Sequence, residues 1–332
     1  MGLSKFQYVA PRKLAKAISL QKESGKFLGG GTDLLVAMKQ RISRPELLID
    51  LNKISELKGI EWDKKTRLRV GALTTLTQLK ENPIVQTHFP VLSRTVPLVS
   101  NPLLQNRGTV GGNLCLDTRC YYYNQSAFFK KRWEPCFKIG GKTCHVVQGG
   151  DSCYAVYSGD MASPLIALGA KVKTVGDHGA RELELQKFFS GSGIKPNVLK
   201  FSEVLSEILI PTPPEHSGCS YQKMRLRDTM DFPLVGVSVF LHLDGRDGRC
   251  RETRVLLGAV GPSPFVVEEA AQLMRGKDIT QELIEEVSQM AWKAAHPVAN
   301  TASSPSYRRE MVRVLTKNAI QETLNRIKNA ES

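Results

Sequence analysis

The chain has 332 residues and a formal net charge of +14 at pH 7, with 41% hydrophobic and 23% charged residues. This length allows two or three domains with a substantial buried core. No apolar run approaches the roughly 20 residues that a membrane-spanning helix needs, and the first residues lack the apolar core of a secretory signal. The composition therefore predicts a cytoplasmic protein without a membrane partner.

The Lys and Arg residues are spread along the chain instead of forming one cluster. Zinc-finger spacing, an RNP-like motif and a long basic helix are all lacking, so we expect no nucleic-acid partner despite the charge. The seven cysteines are an odd number and no export signal accompanies them. Reduced thiols that act as ligands or core residues are therefore expected, in place of disulfides.

The first 55 residues predict a compact α/β unit. A strand leads into the turn Gly29-Gly30-Gly31-Thr32-Asp33, a helix begins at Leu34, and residues 47–51 have the length of a buried strand. A glycine turn between a strand and a helix exposes N–H groups that favour an anion, and Thr32 could add a hydroxyl donor. A tight turn with Thr32 or Asp33 as the helix N-cap is the alternative. The spacing is not G-x-G-x-x-G, so no Rossmann site is indicated.

A second glycine loop, Arg107-Gly108-Thr109-Val110-Gly111-Gly112-Asn113, follows alternating strands and helices that prolines at 83, 90 and 97 should break. Two such loops can clasp the pyrophosphate of a dinucleotide from both sides. An edge-like strand is expected at 203–210, and Pro211-Thr212-Pro213-Pro214 is the predicted domain boundary. Beyond this boundary we expect strands at 221–227, 234–243 and 253–259, a hairpin turn at 244–248, and amphipathic helices at 268–274, 279–295 and 309–327.

The segment 116–155 has poor periodicity and looks like an insertion folded around a metal centre. It contains Cys120, Cys136, Cys144 and Cys153, without the C-x-x-C pairs of zinc knuckles. Such irregular spacing is compatible with a [4Fe–4S] cluster, while zinc and unliganded thiols remain alternatives. Aromatic residues would exclude water from a cluster, and nearby cations would offset its negative charge. These cations are Lys130, Lys131, Arg132, Lys138 and Lys142.

Four motifs occur in order: the run Phe27–Leu35 around the first glycine turn, Gly71-Ala72-Leu73-Thr74-Thr75, Asn106–Leu114 around the second glycine loop, and Gly159-Asp160. Together they resemble the FAD-binding medium subunit of the molybdenum hydroxylase (xanthine dehydrogenase) family over nearly the whole chain. The resemblance implies an α+β fold. A two-part FAD-binding domain of the PCMH type would comprise a small α/β subdomain at 1–55 and a larger mixed-sheet subdomain at 56–215. A C-terminal domain of antiparallel sheet and helices, similar to CO dehydrogenase flavoproteins, would follow at 216–332.

Carried over by position, the resemblance implies an FAD site. Its pyrophosphate would lie between two loops, and Asp160 would accept a hydrogen bond from a ribose hydroxyl. The alternative for Asp160 is the N-cap of a helix at 162–168. Val99, Leu205 and Lys223 would line the ring system or the adenosine end. The two loops comprise Phe27, Leu28, Gly29, Gly30, Gly31, Thr32, Asp33 and Leu34, and Thr109, Val110, Gly111, Gly112 and Asn113.

The inserted segment itself, with Asp117-Thr118-Arg119-Cys120 and Asn124-Gln125-Ser126, resembles the β subunit of 4-hydroxybenzoyl-CoA reductase, in which the extra segment holds a [4Fe–4S] cluster. This implies a cluster on Cys120, Cys136, Cys144 and Cys153. The implied partners are a large molybdopterin subunit, a small [2Fe–2S] subunit and the donor ferredoxin. The implied reaction is the reductive dehydroxylation of 4-hydroxybenzoyl-CoA in anaerobic aromatic degradation, with no catalytic residue on this chain.

Two other functions remain open from the sequence. One is the FAD subunit of another hydroxylase of the same family, acting on an aldehyde, a purine or a CoA thioester. The other is a zinc-stapled basic module that binds nucleic acid.

Overall fold

The computed structural model describes residues 2–21 and 23–329, which form three sheets and three hydrophobic cores. The strands are β1 (Gln7–Val9), β2 (Gly25–Leu28), β3 (Leu47–Asp50), β4 (Ile60–Asp63), β5 (Arg67–Gly71), β6 (Lys171–Gly176), β7 (Gly179–Glu184), β8 (Val204–Pro211), β9 (Ser217–Met224), β10 (Val235–Leu243), β11 (Cys250–Gly258) and β12 (Phe265–Val266). The helices are α1 (Leu14–Ser19), α2 (Leu34–Lys39), α3 (Leu76–Glu81), α4 (Pro83–His88), α5 (Pro90–Thr95), α6 (Pro102–Gln105), α7 (Val110–Leu114), α8 (Ala127–Lys130), α9 (Ala162–Ala167), α10 (Leu185–Phe188), α11 (Glu268–Met274), α12 (Gln281–Ala294) and α13 (Pro305–Lys328).

The first sheet is parallel, with strand order β1-β3-β2. Its central strand is buried from Leu47 to Ile49, because neighbouring strands and helix α1 cover it. The predicted order of strand, glycine turn, helix and strand is confirmed by β2, α2 and β3. Asn52, just after β3, donates from its side-chain amide to Gly29 O at 2.9 Å and so supports the base of the first glycine turn.

The second sheet has five strands in the order β4-β5-β8-β6-β7, and every neighbouring pair is antiparallel, where the sequence predicts a mixed sheet. The strand predicted at 203–210 is confirmed as β8, but its expected edge position is wrong, because β8 is the central strand and is buried along most of its length. A continuous apolar run of this kind is typical of a strand covered on both faces. Pro83 and Pro90 begin α4 and α5 and do not break them, as expected for proline at the first helical position.

Glu203, the residue before β8, has a carboxylate that accepts hydrogen bonds from three other residues. Arg181 contacts both of its oxygens, at 2.6 and 2.7 Å, and the Thr174 hydroxyl and the Lys200 amide also donate to it. The Arg181 hydrogen bonds, with these other donors, lower the pKa of Glu203 from 4.5 to about 2. A depressed carboxylate pKa stabilises the folded state above the unfolded value, and this contribution is lost as the pH falls through the folded value.

Replacing Glu203 by Gln should therefore lower the free energy of unfolding by about 2 kcal/mol at pH 7, since Arg181 is partly exposed and its contribution is screened. The difference from wild type should shrink as the pH falls from about 4.5 towards about 2. Urea unfolding at several pH values measures this. A difference that is constant across this range would contradict the assignment.

The third sheet, β12-β11-β10-β9, is antiparallel and is covered on both faces. Side chains alternate along β10, so Val235, Val237 and Val239 face the core beneath helices α11–α13, while Phe240 belongs to the core of the five-stranded sheet. The sheet is thus a wall between two cores. Most of the apolar stripe predicted for the last helix is buried there: Val312, Leu315, Ala319, Ile320 and Ile327.

The two ends of the cysteine-rich segment are adjacent in the structure. Arg119 and Val156 form an antiparallel bridge in which each backbone N–H donates to the other residue's carbonyl, at 2.7 and 2.8 Å. Between them lie only the short helix α8 and one 3-10 turn, Phe137–Ile139. The domain limits 1–55, 56–215 and 216–332 stay a prediction, and their outermost residues, Met1 and 330–332, lie outside the described residues.

Candidate functional site

The two predicted glycine loops lie against each other. A Cβ atom on Gly30 would be only 2.0 Å from the carbonyl oxygen of Arg107, and one on Gly29 would be 3.4 Å from Thr109 Oγ1. The second loop is held by its own contacts. Thr109 caps α7 by accepting from Gly112 N at 3.0 Å, and Gly111 packs so closely on Ala72 that a Cβ would be 2.6 Å from the alanine Cβ. The sequence motif and the fold thus form one double-loop cradle.

The cradle has unused backbone donors. The N–H groups of Gly30, Gly31 and Thr32 have no acceptor within residues 2–21 and 23–329, whereas those of Val110, Gly111 and Asn113 are bound to protein carbonyls. Consecutive free N–H groups in a glycine turn form an anion-binding nest. The donor set therefore fits the pyrophosphate of a dinucleotide, with the first loop supplying most of the N–H groups. Asp33 is the N-cap residue of α2, as the alternative predicted, but its carboxylate pairs with Arg119 and accepts no hydrogen bond from a helix N–H.

Replacing Gly30 by Ala should separate the two loops, because the added methyl group would overlap the backbone of Arg107. We expect FAD affinity to fall at least tenfold while the rest of the fold is kept. Flavin fluorescence titration of the apoprotein measures the affinity. The matched control is Gly261→Ala, where the nearest atom to an added Cβ is 3.8 Å away. Equal FAD affinity in both variants would contradict the role of the close approach.

Asp160 is joined to the second loop through its neighbours. Asn113 Oδ1 accepts from Met161 N at 3.0 Å, and a Cβ on Gly159 would overlap Asn113 O, so the Gly159-Asp160 motif lies directly on the loop. Asp160 itself is 3% exposed and accepts from Tyr221 OH at 2.8 Å and from Lys223 Nζ at 3.0 Å. It does not cap helix α9, whose N-cap is Met161. Burial raises the pKa of Asp160, although Lys223 and Tyr221 act in the opposite direction.

The three remaining predicted flavin residues lie on the inner side of this region. Val99 and Leu205 are 6% and 5% exposed and belong to the same core as Val110. Lys223 donates to Leu98 O at 2.7 Å and so links Asp160 to the segment that contains Val99. Burial lowers the pKa of Lys223. The structure thus links Asp160 and Lys223 to the second glycine loop, and the contacts of all the predicted flavin residues with FAD stay a prediction.

The four cysteines predicted as ligands meet at a single cavity. Cys120, Cys136, Cys144 and Cys153 all line it, together with the cation Lys138 and several aromatic side chains: Tyr122, Tyr123, Phe137, His145 and Tyr154. The three other cysteines, Cys115, Cys219 and Cys250, do not line this cavity. Positions that are up to 33 residues apart in the sequence are therefore neighbours in space.

The arrangement of these thiols does not suit a single ion. Within the described part of the chain, no group of three or more His, Cys, Asp or Glu side chains could hold a metal ion. A zinc ion requires four sulfurs at about 2.3 Å from one centre, whereas a four-iron cluster binds one thiolate at each of four separated iron atoms. The four thiols thus line one cavity without forming a metal-ion site among the described residues.

The cavity also offers hydrogen-bond donors to sulfur. Val147 N donates to Cys144 Sγ at 3.4 Å. Burial is the main reason that the pKa values of Cys120 and Cys153 are raised, and the charges of neighbouring cavity cysteines raise them further. Hydrogen bonds from Tyr122 and Tyr123 to Cys120, and from Ala155 to Cys153, act in the opposite direction. These backbone donors are the kind that stabilise metal-bound thiolates.

Of the five cations predicted to offset a cluster's charge, only Lys138 lines the cavity. Its side chain is 3% exposed, and its Nζ donates at 2.7 Å to each of three oxygens: Asp117 Oδ1, Thr118 Oγ1 and Gly193 O. Lys131, Arg132 and Lys142 are exposed. A second cation, Lys130, interacts electrostatically with Cys136: burial lowers the pKa of Lys130, and Cys136 acts in the opposite direction. The role of these cations in stabilising a cluster stays a prediction.

Two residues of this region were not among the predicted site residues. Tyr221 donates to Asp160, and Arg119 pairs with Asp33 of the first glycine loop. Both act through tertiary contacts that span 61 and 86 residues, so local patterns could not reveal them. The position of Arg119 directly before a predicted cluster ligand was the only available signal.

Among the helices of the described residues, none combines the length and the apolar character needed to cross a bilayer.

Comparison with known families gives two matches that together span most of the chain. Residues 4–213 match the family described as the FAD binding domain in molybdopterin dehydrogenase. Residues 219–323 match the CO dehydrogenase flavoprotein C-terminal domain. These matches agree with the fold expected from the sequence.

Individual relatives are similar along almost their whole length. The aldehyde oxidoreductase FAD-binding subunit PaoB of Escherichia coli (strain K12) is 32% identical over 320 residues, covering 91% of this chain and 94% of the relative. The putative xanthine dehydrogenase FAD-binding subunit XdhB of the same strain is 28% identical, with coverage of 94% and 93%. A carbon monoxide dehydrogenase structure from Hydrogenophaga pseudoflava superposes with a TM-score of 0.80 at 27% identity, covering 98% of this chain and 99% of that one.

Proposed function

The chain belongs to the family of FAD-binding subunits of molybdopterin dehydrogenases, and from this premise we propose that it is the flavin and iron–sulfur electron-transfer subunit of 4-hydroxybenzoyl-CoA reductase. It is an oxidoreductase subunit by family. The observation that carries the finer proposal is the meeting of Cys120, Cys136, Cys144 and Cys153 at one cavity, within a segment whose base adjoins the flavin cradle. The zinc-stapled nucleic-acid module has no support from the family or from the cysteine geometry.

The residues of the double-loop cradle would hold FAD. The free N–H groups of Gly30, Gly31 and Thr32 would bind the pyrophosphate, and the buried Asp160–Lys223 pair would fix the wall behind it. Bound FAD supplies electron exchange in single or paired steps. The chain's own contribution is to position the dinucleotide and to exclude water.

The cavity cysteines would ligate a [4Fe–4S] cluster, which supplies one-electron exchange. The aromatic side chains on the cavity wall keep water away from the ligands, and Lys138 places one positive charge beside them. Neither role requires a catalytic acid or base on this chain. The substrate chemistry, reductive loss of the phenolic hydroxyl, would take place on a large molybdopterin subunit, with a small [2Fe–2S] subunit between the two.

The proposed donor is a reduced ferredoxin. Phe128 and Trp133 are 71% and 46% exposed on the outer side of the insert, and the Arg132 guanidinium lies 4.9 Å from the Phe128 ring centroid. Residues 128–145 carry one acidic side chain and five basic ones, of which Lys131, Arg132 and Lys142 are exposed and the side chain of Lys138 is buried. A basic surface with exposed aromatic residues is suited to an acidic protein.

The alternative is the FAD subunit of another hydroxylase of this family, and the names of the relatives, which include aldehyde and xanthine enzymes, favour it. Anaerobic purification of the complex decides between the two functions. We expect about one FAD and about four iron atoms for this chain, beyond the iron of its partners. The complex should reduce 4-hydroxybenzoyl-CoA with reduced ferredoxin. Stoichiometric zinc, or activity confined to aldehydes or purines, would contradict the proposal.

A further inference from the structure

We propose that Asn300 is a positioning residue for the cysteine site, because it holds the residue directly after Cys120 and the residue directly after Cys153. It thereby fixes how two of the four thiols face the cavity. The use of this placement rests on the proposed [4Fe–4S] cluster, whereas the placement itself concerns the chain alone. Asn300 lies in the C-terminal domain and belongs neither to the insert nor to the flavin cradle.

Asn300 contacts the insert with its backbone and with its side chain. Its carbonyl oxygen accepts from Tyr121 N at 3.0 Å, and its side-chain amide donates to Tyr154 O. The residue is 3% exposed and is itself held in place. Its N–H donates to Val298 O at 2.8 Å, and the buried Arg308 donates to its Oδ1 at 3.5 Å. One fixed residue of the C-terminal domain therefore joins two distant points of the insert.

The two held residues occupy equivalent positions in two short runs, Cys120-Tyr121-Tyr122 and Cys153-Tyr154-Ala155. In each run the first residue is a cavity cysteine, and the second is the tyrosine that Asn300 holds. The third residue donates its backbone N–H to the cysteine sulfur. Asn300 is thus one residue away from a thiol and its donor in both runs.

In the second run a single peptide group carries both contacts. Tyr154 O accepts from the Asn300 side chain, and Ala155 N, on the same peptide group, donates to Cys153 Sγ. Hydrogen bonds on the two sides of a peptide group strengthen each other. Release of the Asn300 contact should therefore free this peptide group to rotate and loosen the Cys153 sulfur.

Cys144 is held differently, because its sulfur accepts from Val147 N within the insert itself, at 3.4 Å. It lines the same cavity as the other ligands and is partly exposed, as Cys120 and Cys153 are. The reactivity of Cys144 therefore reports on the insert as a whole. A difference between Cys144 and the other two thiols would isolate the effect of Asn300.

The test uses the full chain, reduced and free of iron, and compares Asn300→Asp with the control Asn82→Asp. Aspartate has the shape of asparagine and keeps an oxygen towards Arg308, but its carboxylate cannot donate to Tyr154 O. Asn82 accepts from Val85 N at the start of α4, and aspartate caps a helix equally well. Iodoacetamide labelling followed by mass spectrometry gives the alkylation rate of each cysteine.

In Asn300→Asp, Cys153 should react about tenfold faster, the factor expected from the loss of one hydrogen bond that opposes local opening. Cys120 should also react faster, because the carbonyl that holds Tyr121 belongs to the altered residue. Cys144 and the buried Cys250 should keep their wild-type rates, and Asn82→Asp should leave all four rates unchanged. A wild-type rate at Cys120 or Cys153, or an equal rise at Cys144 or Cys250, overturns the proposal.

Anaerobic reconstitution with iron and sulfide separates this inference from the proposed cluster. We expect about four iron atoms on the wild-type chain and fewer than about half that number on Asn300→Asp, because a cluster needs all four thiolates in place. Equal iron content in the two chains overturns the positioning role. If the wild-type chain takes up no iron, the proposed cluster is wrong, and the alkylation rates still decide whether Asn300 places the two thiols.

Discussion

For the proposed [4Fe–4S] cluster, replacing Cys136 by Ser is expected to abolish the iron–sulfur absorbance of the purified chain and to leave its FAD bound. Cys136 is one of four thiols on the cavity wall, and a serine hydroxyl is a poor ligand for iron that prefers thiolate. The cradle is built from other residues, and its contacts do not involve the cavity cysteines. Iron analysis and the visible spectrum measure the cluster, and flavin release on denaturation measures the FAD.

Cys115→Ser is the matched control. Cys115 lies between the second glycine loop and the insert but does not line the cavity, and burial raises the pKa of its thiol to about 12. Because Cys115 lies outside the cavity, this variant should keep its iron. If both variants keep four iron atoms, the ligand set is wrong. If Cys136→Ser loses FAD and iron together, the two sites do not assemble independently.

Replacing Arg308 by Met should lower the free energy of unfolding by about 3–5 kcal/mol, the largest stability effect that we expect for one residue. Arg308, near the start of α13, is fully buried. It donates to three backbone carbonyls: Leu234 O at 3.0 Å, Val298 O at 3.0 Å and Ala259 O at 2.6 Å. Burial lowers its pKa to about 10, which leaves it cationic at neutral pH. Met fills a similar volume but donates to none of these carbonyls. Val298 O keeps its hydrogen bond from Asn300 N at 2.8 Å, so the cost falls mainly on the carbonyls of Leu234 and Ala259, at about 1–3 kcal/mol each.

Arg309→Met is the neighbouring control. Its guanidinium stacks on Trp292 at 3.9 Å and donates to Trp292 O at 2.8 Å in a partly exposed setting, so its loss should cost about 1 kcal/mol or less. Urea unfolding compares the two variants. Equal losses of stability would mean that the carbonyls around Arg308 find other partners. Arg308 also donates to the carbonyl of Ala259, a residue whose φ of +60° makes its backbone strained. Loss of Arg308 should therefore affect the backbone at Ala259.

Local patterns predicted the elements whose signals are local. The glycine turn between β2 and α2, the hairpin after β10 and the apolar stripe of α13 follow from spacing and turn residues. The order in which strands lie next to each other in a sheet did not follow from such local signals. β8 reads as an edge strand because prolines end it, yet it is central because β5 and β6 come to it from distant parts of the chain. Pairing partners are set by the packing of the whole sheet, which no window of sequence contains.

The residues of the candidate site also divide into those that local sequence predicts and those that it does not. The glycine loops and the four cysteines could be selected from the sequence because their residue types are rare and their chemistry is specific. Arg308 and Tyr221 could not, because arginine and tyrosine are common, and only burial distinguishes these two from the rest. Arg308 shows the limit most clearly. It occupies a position next to the predicted apolar stripe of α13, where a pattern based on hydrophobicity counts a cation as exposed.

The two hydrogen bonds between Arg119 and Val156 have a consequence for how such chains can diverge. The two ends of the intervening 36 residues lie side by side, so the whole segment could be inserted or deleted at one point of the fold. Neighbouring strands would keep their course, and the dinucleotide cradle would keep its shape. Related subunits with and without this segment could thus share one scaffold.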